Sequence, residues 1–378
     1  MPSLRSLRMV VLGLVLVPLA AGVAAVAPAP PLPATGKENP DLASFDELMC
    51  SFMTERHVPG GALAVTRGGR LVYARGFGFA DAQKKEPVLP TSLFRIASLS
   101  KPITAVAVMQ LAEHGKVKLD EPMLWQLPPD TRPASLGDPR LEKITVRQLL
   151  RHTGGWDRAK DGYDPMFRSV EIAKAEKFAP PAKAEDIIRF MLRRKLDFDP
   201  GARSAYSNFG YCVLGRIIEQ AAQQSYQEYV LEHVLAPLGI REMRLGHSLP
   251  ERRAPGEVEY FDRKGKTGAA VVGQPLGRLV PLPYGTFYLE AMDAHGGWLA
   301  SAIDVVRFVT AFDDAEHCPI LAEILGERLG TAPLVPPDAQ SVGALGAALF
   351  ARDWGATTTS PAPTNRPGAQ APGEERES

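Results

Sequence analysis

The sequence predicts a mixed α/β protein in which helices flank an antiparallel sheet and a helical subdomain is inserted. Two β-prone runs, residues 63–66 and 71–73, are joined by a glycine-rich turn. Apolar residues then recur at three- and four-residue spacing through residues 98–114, the period of a helix. A loop-rich middle section follows, in which proline and glycine separate further helical patterns.

The first of these elements is a β-hairpin. Residues 67–70 read Arg-Gly-Gly-Arg, and paired glycines supply the positive φ angles of a tight two-residue turn. The helix at 98–114 ends before Gly115, which is typical of a helix C-cap. Further helices are predicted in four segments: 145–151, 184–194, 208–223 and 303–312.

Composition divides the chain into a leader, one folded domain and a tail. We assign the domain to residues 42–312, with the helical subdomain at about 116–205. Residues 313–350 show no clean strand pattern and stay unassigned. Residues 351–378 are rich in proline, threonine, alanine and glycine, a composition that cannot bury a core and predicts a disordered tail.

The leader has the organisation of a signal peptide. Arg5 and Arg8 precede an apolar run at 9–27 that ends in small residues, with a cleavage site near 24–27. We therefore expect residues 1–27 to be removed on export to the periplasm or outside, and residues 28–41 to form a linker. Retention of the run as an N-terminal membrane anchor is the alternative, because its length is near the ~18 residues needed to span.

Charge and cysteine content exclude several classes of function. Lys plus Arg and Asp plus Glu both total 43, so no net charge would hold the chain on nucleic acid or another polyanion. The cysteines are Cys50, Cys212 and Cys318, which are too scattered for a zinc cluster or a disulfide scaffold. We therefore expect no metal and no cofactor.

The chemistry begins at Ser98-Leu99-Ser100-Lys101. Spacing of three residues in the first turn of a helix places the Ser98 hydroxyl and the Lys101 amine on one face, within reach of a shared hydrogen bond. Such a pair is a nucleophile beside a base. By itself the Ser-x-x-Lys pattern is weak evidence for catalysis, because a helix cap at Ser98 and a solvated Lys101 would give the same sequence.

The blocks around this tetrad resemble the serine β-lactamase-like superfamily, particularly class C β-lactamases, D-alanyl-D-alanine carboxypeptidases and serine esterases. The matching blocks extend from residue 42 to residue 312 and are 58–62, 76–81, 94–104, 144–155, 200–211, 226–239 and 296–304. The block at 206–208 matches the family's second motif, Tyr-x-Asn, with Tyr206 and Asn208. Jointly these blocks are far more specific than any one of them.

The resemblance implies a β-lactamase-like fold and acyl transfer through Ser98. Lys101 or Tyr206 would take the serine proton, and sequence leaves open which of them is the base. Tyr206 would also protonate the leaving group, and the Ser98 backbone N–H would be one oxyanion donor. Asn208 would hold the lysine or a substrate amide.

The family's third motif, Lys or His followed by a small residue and glycine, has two tentative candidates. Lys266-Thr267-Gly268 is the literal match, but it precedes the block at 296–298, contrary to the family order, and follows a turn-like stretch at 262–266. His295 with Gly297 is the second candidate. The family's sheet is completed by strands near the C-terminus, but the sequence after residue 312 shows no alternating strand pattern. A shifted or truncated reading frame would explain this difference.

The sequence thus predicts an exported serine hydrolase that acts through a Ser98 acyl-enzyme. Its substrate would be a small molecule or peptide: a β-lactam, a D-Ala-D-Ala peptide or an ester. The alternative is a catalytically impaired or truncated β-lactamase-like binding protein. The oligomeric state and the pairing of the thiols stay open.

Overall fold

A computed structural model of the chain describes residues 32–81, 83–262 and 264–312. All of the elements below lie in the unit that begins at Pro33. The predicted signal peptide, the unassigned segment at 313–350, the predicted tail, Cys318 and the strands sought after residue 312 lie outside the described residues.

The largest sheet is built on the predicted hairpin. Strands β2 and β3 pair in antiparallel register around Gly68 and Gly69, whose φ angles of 56° and 72° are those of the turn that the sequence predicts. Strands β1 and β4 both pair with β3, so the hairpin has further neighbours. Its strands are β1 (Ala34–Thr35), β2 (Gly60–Arg67), β3 (Arg70–Asp81) and β4 (Glu86–Pro87).

Part of the predicted linker at 28–41 belongs to this sheet. Ala34 and Thr35 pair with Phe77 and Gly76, and the Thr35 hydroxyl donates a hydrogen bond of 2.5 Å to the Val88 carbonyl. Strand pairing uses backbone groups that every residue carries, so a two-residue strand leaves no period in the sequence. The linker prediction is therefore wrong for these residues.

Two smaller sheets accompany the first. One consists of β5 (Phe94–Arg95), β6 (Arg244–Leu245) and β9 (Trp298–Ala300), with β9 in the centre. The other pairs β7 (Thr267–Ala269) with β8 (Leu279–Pro281). Strand β5 ends immediately before the segment that carries Ser98, so the three-stranded sheet determines where that segment starts.

Helices contain more of the described residues than strands do, and the predicted helices are confirmed to within a few residues. Among the described residues none is long and apolar enough to cross a membrane. The α-helices are α1 (Ala43–Arg56), α2 (Ser100–Glu113), α3 (Met123–Gln126), α4 (Val146–Leu150), α5 (Arg158–Asp161), α6 (Ser169–Ala175), α7 (Ala184–Met191), α8 (Asn208–Ala222), α9 (Tyr226–Tyr229), α10 (Asp293–Gly296) and α11 (Ala302–Thr310).

The core lies between α2 and α8 and continues into the helical subdomain. Both helices bury apolar side chains along most of their length, among them Ile103, Ala107, Val108, Leu111, Cys212, Val213, Leu214 and Ile217. Cys212 is fully buried, and burial raises the pKa of its thiol. Side chains of this size on two facing helices exclude water from the space between them.

A buried chain of hydrogen bonds ties α2 to α9, α10 and β9. Trp298 Nε1–H donates to the Tyr226 hydroxyl at 2.9 Å, and that hydroxyl lies 2.7 Å from Thr104 Oγ1. Thr104 in turn donates to the Ala294 carbonyl at 2.5 Å. Every polar atom in this chain has a partner, which a buried polar group needs. The network therefore fixes α10 against the first two turns of α2.

Replacement of Tyr226 by phenylalanine tests this network. In Tyr226→Phe the Trp298 N–H has no acceptor and Thr104 has no donor, so we expect the free energy of unfolding to fall by about 1–3 kcal/mol. Urea denaturation followed by fluorescence measures it. Tyr229→Phe on the same short helix is the control, since the Tyr229 hydroxyl is not part of the chain. Equal effects of the two substitutions would contradict the assignment.

Candidate functional site

Ser98 lies on an exposed turn between β5 and α2. Residues Ala97–Leu99 form a 3₁₀ turn that leads directly into α2, and the Ile96 N–H donates to the Trp298 carbonyl at 3.0 Å. Ala97 has a φ angle of 46°, in the left-handed region that few non-glycine residues adopt. The Ser98 N–H belongs to the first turn, whose N–H groups have no carbonyl partner within the helix. Ser98 thus presents a hydroxyl and a backbone donor at the same surface.

Lys101 is buried one turn further along, with 3% of its surface exposed. Its Nζ lies 3.1 Å from Ser98 Oγ. It also donates at 2.8 Å to Asn208 Oδ1 and at 2.8 Å to the His295 carbonyl. A buried lysine nitrogen is stable only where hydrogen bonds replace its water shell, and these three partners do so.

Asn208 is held from its other side. Its Nδ2 donates to Asp164 Oδ2 at 2.7 Å, and Arg158 lies 3.3 Å from the same carboxylate oxygen. Because a carboxylate only accepts, Asp164 requires the NH₂ of Asn208 to face it and the amide oxygen to face Lys101. Of the two roles that the sequence leaves open for Asn208, this geometry matches the one in which it holds the lysine.

Tyr206 completes the group around the serine. Its hydroxyl donates to Ser98 Oγ at 2.6 Å, so Ser98 Oγ is in contact with both Tyr206 and Lys101. Lys101 Nζ lies 4.7 Å from the centre of the Tyr206 ring, and the Arg158 guanidinium carbon lies at the same distance of 4.7 Å. Two cations next to the ring stabilise negative charge that develops on its oxygen.

Helix α10 contributes a backbone carbonyl rather than a side chain. The His295 carbonyl accepts from Lys101, while the imidazole is buried and its Nε2 has no hydrogen-bond partner. Burial, aided by the nearby charges of Lys101 and Arg216, lowers the pKa of His295 well below the ordinary 6.5. The imidazole is therefore neutral in the folded protein at neutral pH.

The position of α10 is determined by an ion pair and a close contact with α8. Arg216 donates to Asp293 at 2.5 Å, and both side chains are buried. One residue before Arg216, a Cβ added to Gly215 would lie 2.7 Å from the Cβ of Ala294, closer than real carbon atoms approach. Only a glycine at 215 lets the two helices come this near, and His295 follows Ala294 directly.

The two candidates for the third motif are placed differently. Lys266 follows the predicted turn, where Asp262 accepts from the Lys264 and Lys266 N–H groups, and Thr267–Ala269 forms β7. An added Cβ at Gly268 would meet Leu282 and Thr286, so the described contacts of this segment lie within residues 262–286 rather than at Ser98.

The second candidate touches the site through a different atom than the motif implies. His295 lies in α10 and not on a strand, and its carbonyl, not its ring, contacts Lys101. The Gly297 carbonyl accepts from the Gly246 N–H at 2.8 Å, which joins β9 to the segment after β6. The structure thus brings Ser98, Lys101, Tyr206 and Asn208 together and leaves Lys266, Thr267 and Gly268 outside the cluster.

The sequence does not identify three residues that contact the site: Asp164, Arg158 and His152. Asp164 precedes Pro165 and also caps a 3₁₀ turn through Met166, so its local pattern is that of an ordinary turn residue. His152 lies within the block at 144–155, where a buried structural histidine would give the same pattern. The role of each depends on contacts with residues more than 40 positions away.

A small pocket opens beside Tyr206 and Asn208. Its volume is about 50 Å³, and Trp156, Arg158 and Arg194 are among its lining residues. A space of this size admits a few water molecules or one small polar group. Among the described residues, no group of three or more His, Cys, Asp or Glu side chains is arranged to hold a metal ion.

Comparison with known proteins identifies a family model and several relatives. A model of the beta-lactamase family matches residues 45–367. The esterase EstB of Burkholderia gladioli is 33% identical over 292 residues, which is 71% of this chain and 69% of that protein. Penicillin-binding protein 4* of Bacillus subtilis (strain 168) is 30% identical over 209 residues, which is 55% of this chain and 42% of that protein. The chain therefore spans less than half the length of this relative.

Among solved structures, the D-amino acid amidase from Ochrobactrum anthropi SV3 complexed with L-phenylalanine amide is similar. Its TM-score is 0.53 at 26% sequence identity, over 73% of this chain and 71% of that one. The match of the family model continues beyond residue 312, where the described residues end.

The neutral, buried His295 predicts how stability depends on pH. Above pH 6.5 neither the folded nor the unfolded chain binds a proton at this histidine, and its effect on stability is constant. Below pH 6.5 the unfolded chain binds the proton and the folded chain does not, so the free energy of unfolding falls by up to about 1.4 kcal/mol per pH unit.

Urea unfolding between pH 7.5 and 5 measures this slope. We expect His295→Leu to unfold with a flatter pH dependence than the wild-type chain over pH 6.5–5. His114→Leu, at an exposed histidine, is the control for the loss of a histidine as such. A His295→Leu slope equal to that of the wild type would refute the assignment.

Proposed function

Because the chain belongs to the beta-lactamase family and has its fold, we propose that it is a serine hydrolase that works through an acyl-enzyme on Ser98. One observation carries the proposal: Ser98 Oγ contacts both Lys101 Nζ, at 3.1 Å, and the Tyr206 hydroxyl, at 2.6 Å. A nucleophile within reach of two proton-transfer groups, on an exposed turn, is the arrangement that acyl transfer requires.

The hydrogen bonds around Lys101 favour it as the base for attack. Asn208 Oδ1 and the His295 carbonyl can only accept, so each takes one N–H of the lysine. In the amine form the remaining lone pair of Nζ points at Ser98 and accepts its O–H. Tyr206 O–H then donates to Ser98 Oγ, and every hydrogen in the cluster has an acceptor.

Acylation follows from this arrangement. Ser98 Oγ bonds to the carbonyl carbon of the substrate while its proton passes to Lys101 Nζ. The Ser98 N–H stabilises the negative oxygen of the tetrahedral intermediate. When the bond to the leaving group breaks, the leaving atom takes the phenol proton of Tyr206, and the new Lys101 ammonium returns a proton to Tyr206.

Deacylation reverses the roles with water. Lys101 Nζ, directly or with Tyr206 relaying the proton, accepts a proton from a water molecule whose oxygen bonds to the acyl carbon. The bond from that carbon to Ser98 Oγ then breaks, and Oγ regains a proton. The carboxylic acid leaves, and Ser98, Lys101 and Tyr206 return to their starting protonation states.

We propose esters and amides of small acyl donors as the substrate class. The named relatives include an esterase, a penicillin-binding protein and an amidase, which share acyl chemistry and differ in the leaving atom. Export is part of the proposal and rests on Arg5, Arg8 and the apolar run at 9–27. N-terminal sequencing of the secreted protein tests it, and an intact N-terminus would refute cleavage.

Labelling with an activity probe tests the nucleophile. A fluorophosphonate probe should label the wild-type protein and not Ser98→Ala, while Ser204→Ala, at an exposed serine near Tyr206, keeps full labelling. Lys101→Met and Tyr206→Phe should lower kcat/KM for a p-nitrophenyl ester by about 10²–10⁴-fold. A folded wild-type chain that neither takes the label nor turns over esters, cephalosporins or D-Ala-D-Ala peptides would favour the impaired binding protein instead.

Removal of Asp164 tests the orientation of Asn208. In Asp164→Ala the Asn208 amide loses the group that keeps its oxygen toward Lys101, so we expect kcat/KM to fall about tenfold, equivalent to about 1.4 kcal/mol. Asp164→Asn keeps an acceptor and should recover part of the loss. Asp161→Ala, at an exposed carboxylate on α5, is the control. Wild-type kinetics in Asp164→Ala would show that Asn208 does not depend on it.

A further inference from the structure

We propose that His152 is the positioning residue for Tyr206. It hydrogen-bonds to the backbone of the residues on either side of Tyr206, and its ring packs against the Tyr206 ring. The inference rests on the proposed function, because it concerns how the phenol is kept on Ser98. Tyr206 lies before the first residue of α8, so no helix fixes its backbone. Another part of the chain must do so, and His152 is the residue that contacts this segment on both sides.

The two backbone contacts bracket Tyr206. The Ala205 N–H donates to the His152 carbonyl at 2.9 Å, and the Ser207 N–H donates to His152 Nδ1 at 3.1 Å. These are the residues immediately before and after Tyr206. A displacement of the Tyr206 backbone would therefore break at least one of two buried hydrogen bonds, each costly to leave unmade.

The ring of His152 supplies the third contact. It packs against the Tyr206 ring with centres 4.7 Å apart and an interplanar angle of 32°, and against the Tyr211 ring at 5.1 Å. His152 is 2% exposed, so this stack is shielded from water. The phenol can then rotate little about the axis that would carry its oxygen away from Ser98.

The backbone of His152 has an unusual conformation that serves this arrangement. Its φ angle is 57°, in the left-handed region, which is unfavourable for a non-glycine residue. This conformation lets the His152 carbonyl reach Ala205 and the His152 ring reach Ser207, the two residues that flank Tyr206. Histidine and asparagine are among the few side chains that tolerate it.

The hydrogen bond from Ser207 also assigns the form of the imidazole. A backbone N–H needs a lone pair on Nδ1, so the ring proton of neutral His152 lies on Nε2. A residue that only filled space would have no such requirement. The tautomer is therefore a signature of the positioning role that can be measured without any turnover.

Two substitutions separate the acceptor from the ring. His152→Asn keeps an acceptor oxygen near the position of Nδ1 and tolerates the left-handed backbone, but it has no ring. His152→Phe keeps an aromatic ring and removes the acceptor. His233→Phe is the matched control, because His233 also stacks on a tyrosine, Tyr229, at 4.7 Å, but on an exposed surface.

Kinetics on a p-nitrophenyl ester and thermal unfolding are measured for all of these proteins. We expect His152→Phe to lower kcat about tenfold or more with little change in KM, His152→Asn to stay within about threefold of the wild type, and His233→Phe to match it. The proposal would be overturned if His152→Phe and His152→Asn lost kcat equally and in proportion to their loss of stability. Wild-type kcat in His152→Phe would also overturn it.

Nitrogen-15 NMR of the wild-type imidazoles at pH 8 decides the question independently of activity. The expected spectrum has His152 as the Nε2–H tautomer, and the Ser207 amide proton should shift in His152→Phe. An Nδ1–H tautomer would overturn the positioning role even in an active enzyme. A wild-type chain without turnover but with the expected tautomer would refute the proposed function and leave the His152 contacts confirmed.

Discussion

The site depends on the burial of one lysine nitrogen among three fixed hydrogen-bond partners. Lys101 is 3% exposed, and a lysine in such a place would be unfavourable without partners for its hydrogens. Asn208 and His295, which accept those hydrogens, are 107 and 194 residues away in the chain. The contact between Ser98 and Lys101 is therefore supported on all sides only when α2, α8 and α10 are packed together.

The surrounding structure keeps those acceptors in place with polar contacts of its own. Asp164 orients the Asn208 amide, and the chain from Trp298 through Tyr226 and Thr104 ends on the Ala294 carbonyl, next to the His295 carbonyl. These contacts are buried, so each is strong and each is costly to break. The precision of the Lys101 geometry comes from this outer set as much as from the motif residues.

Sequence reasoning predicted the groups that act through side chains in local patterns. The spacing of Ser98 and Lys101 follows from helix geometry alone, and Tyr206 and Asn208 come from a compact motif. The hairpin around Gly68 and Gly69 was equally accessible, because only glycine adopts that turn without strain.

The remaining features of the site and the fold act through backbone atoms or distant partners, so they have no recognisable sequence pattern. The His295 carbonyl would be the same carbonyl with any other side chain at 295, and the strand at Ala34–Thr35 uses backbone pairing only. Asp164 and His152 carry ordinary local signals, a turn residue and a buried histidine. Their part in the site is visible only once α8 and the segment before it are placed against them.

The close approach at Gly215 makes chemistry more fragile than folding in this molecule. A methyl group there would lie 2.7 Å from the Cβ of Ala294, so Ala294 and the neighbouring carbonyl would have to move. Helices can tolerate such a shift and remain packed, whereas the hydrogen bond from Lys101 to the His295 carbonyl depends on that position. Mutational drift in this helix pair would thus disturb the contacts of Lys101 before it unfolded the protein.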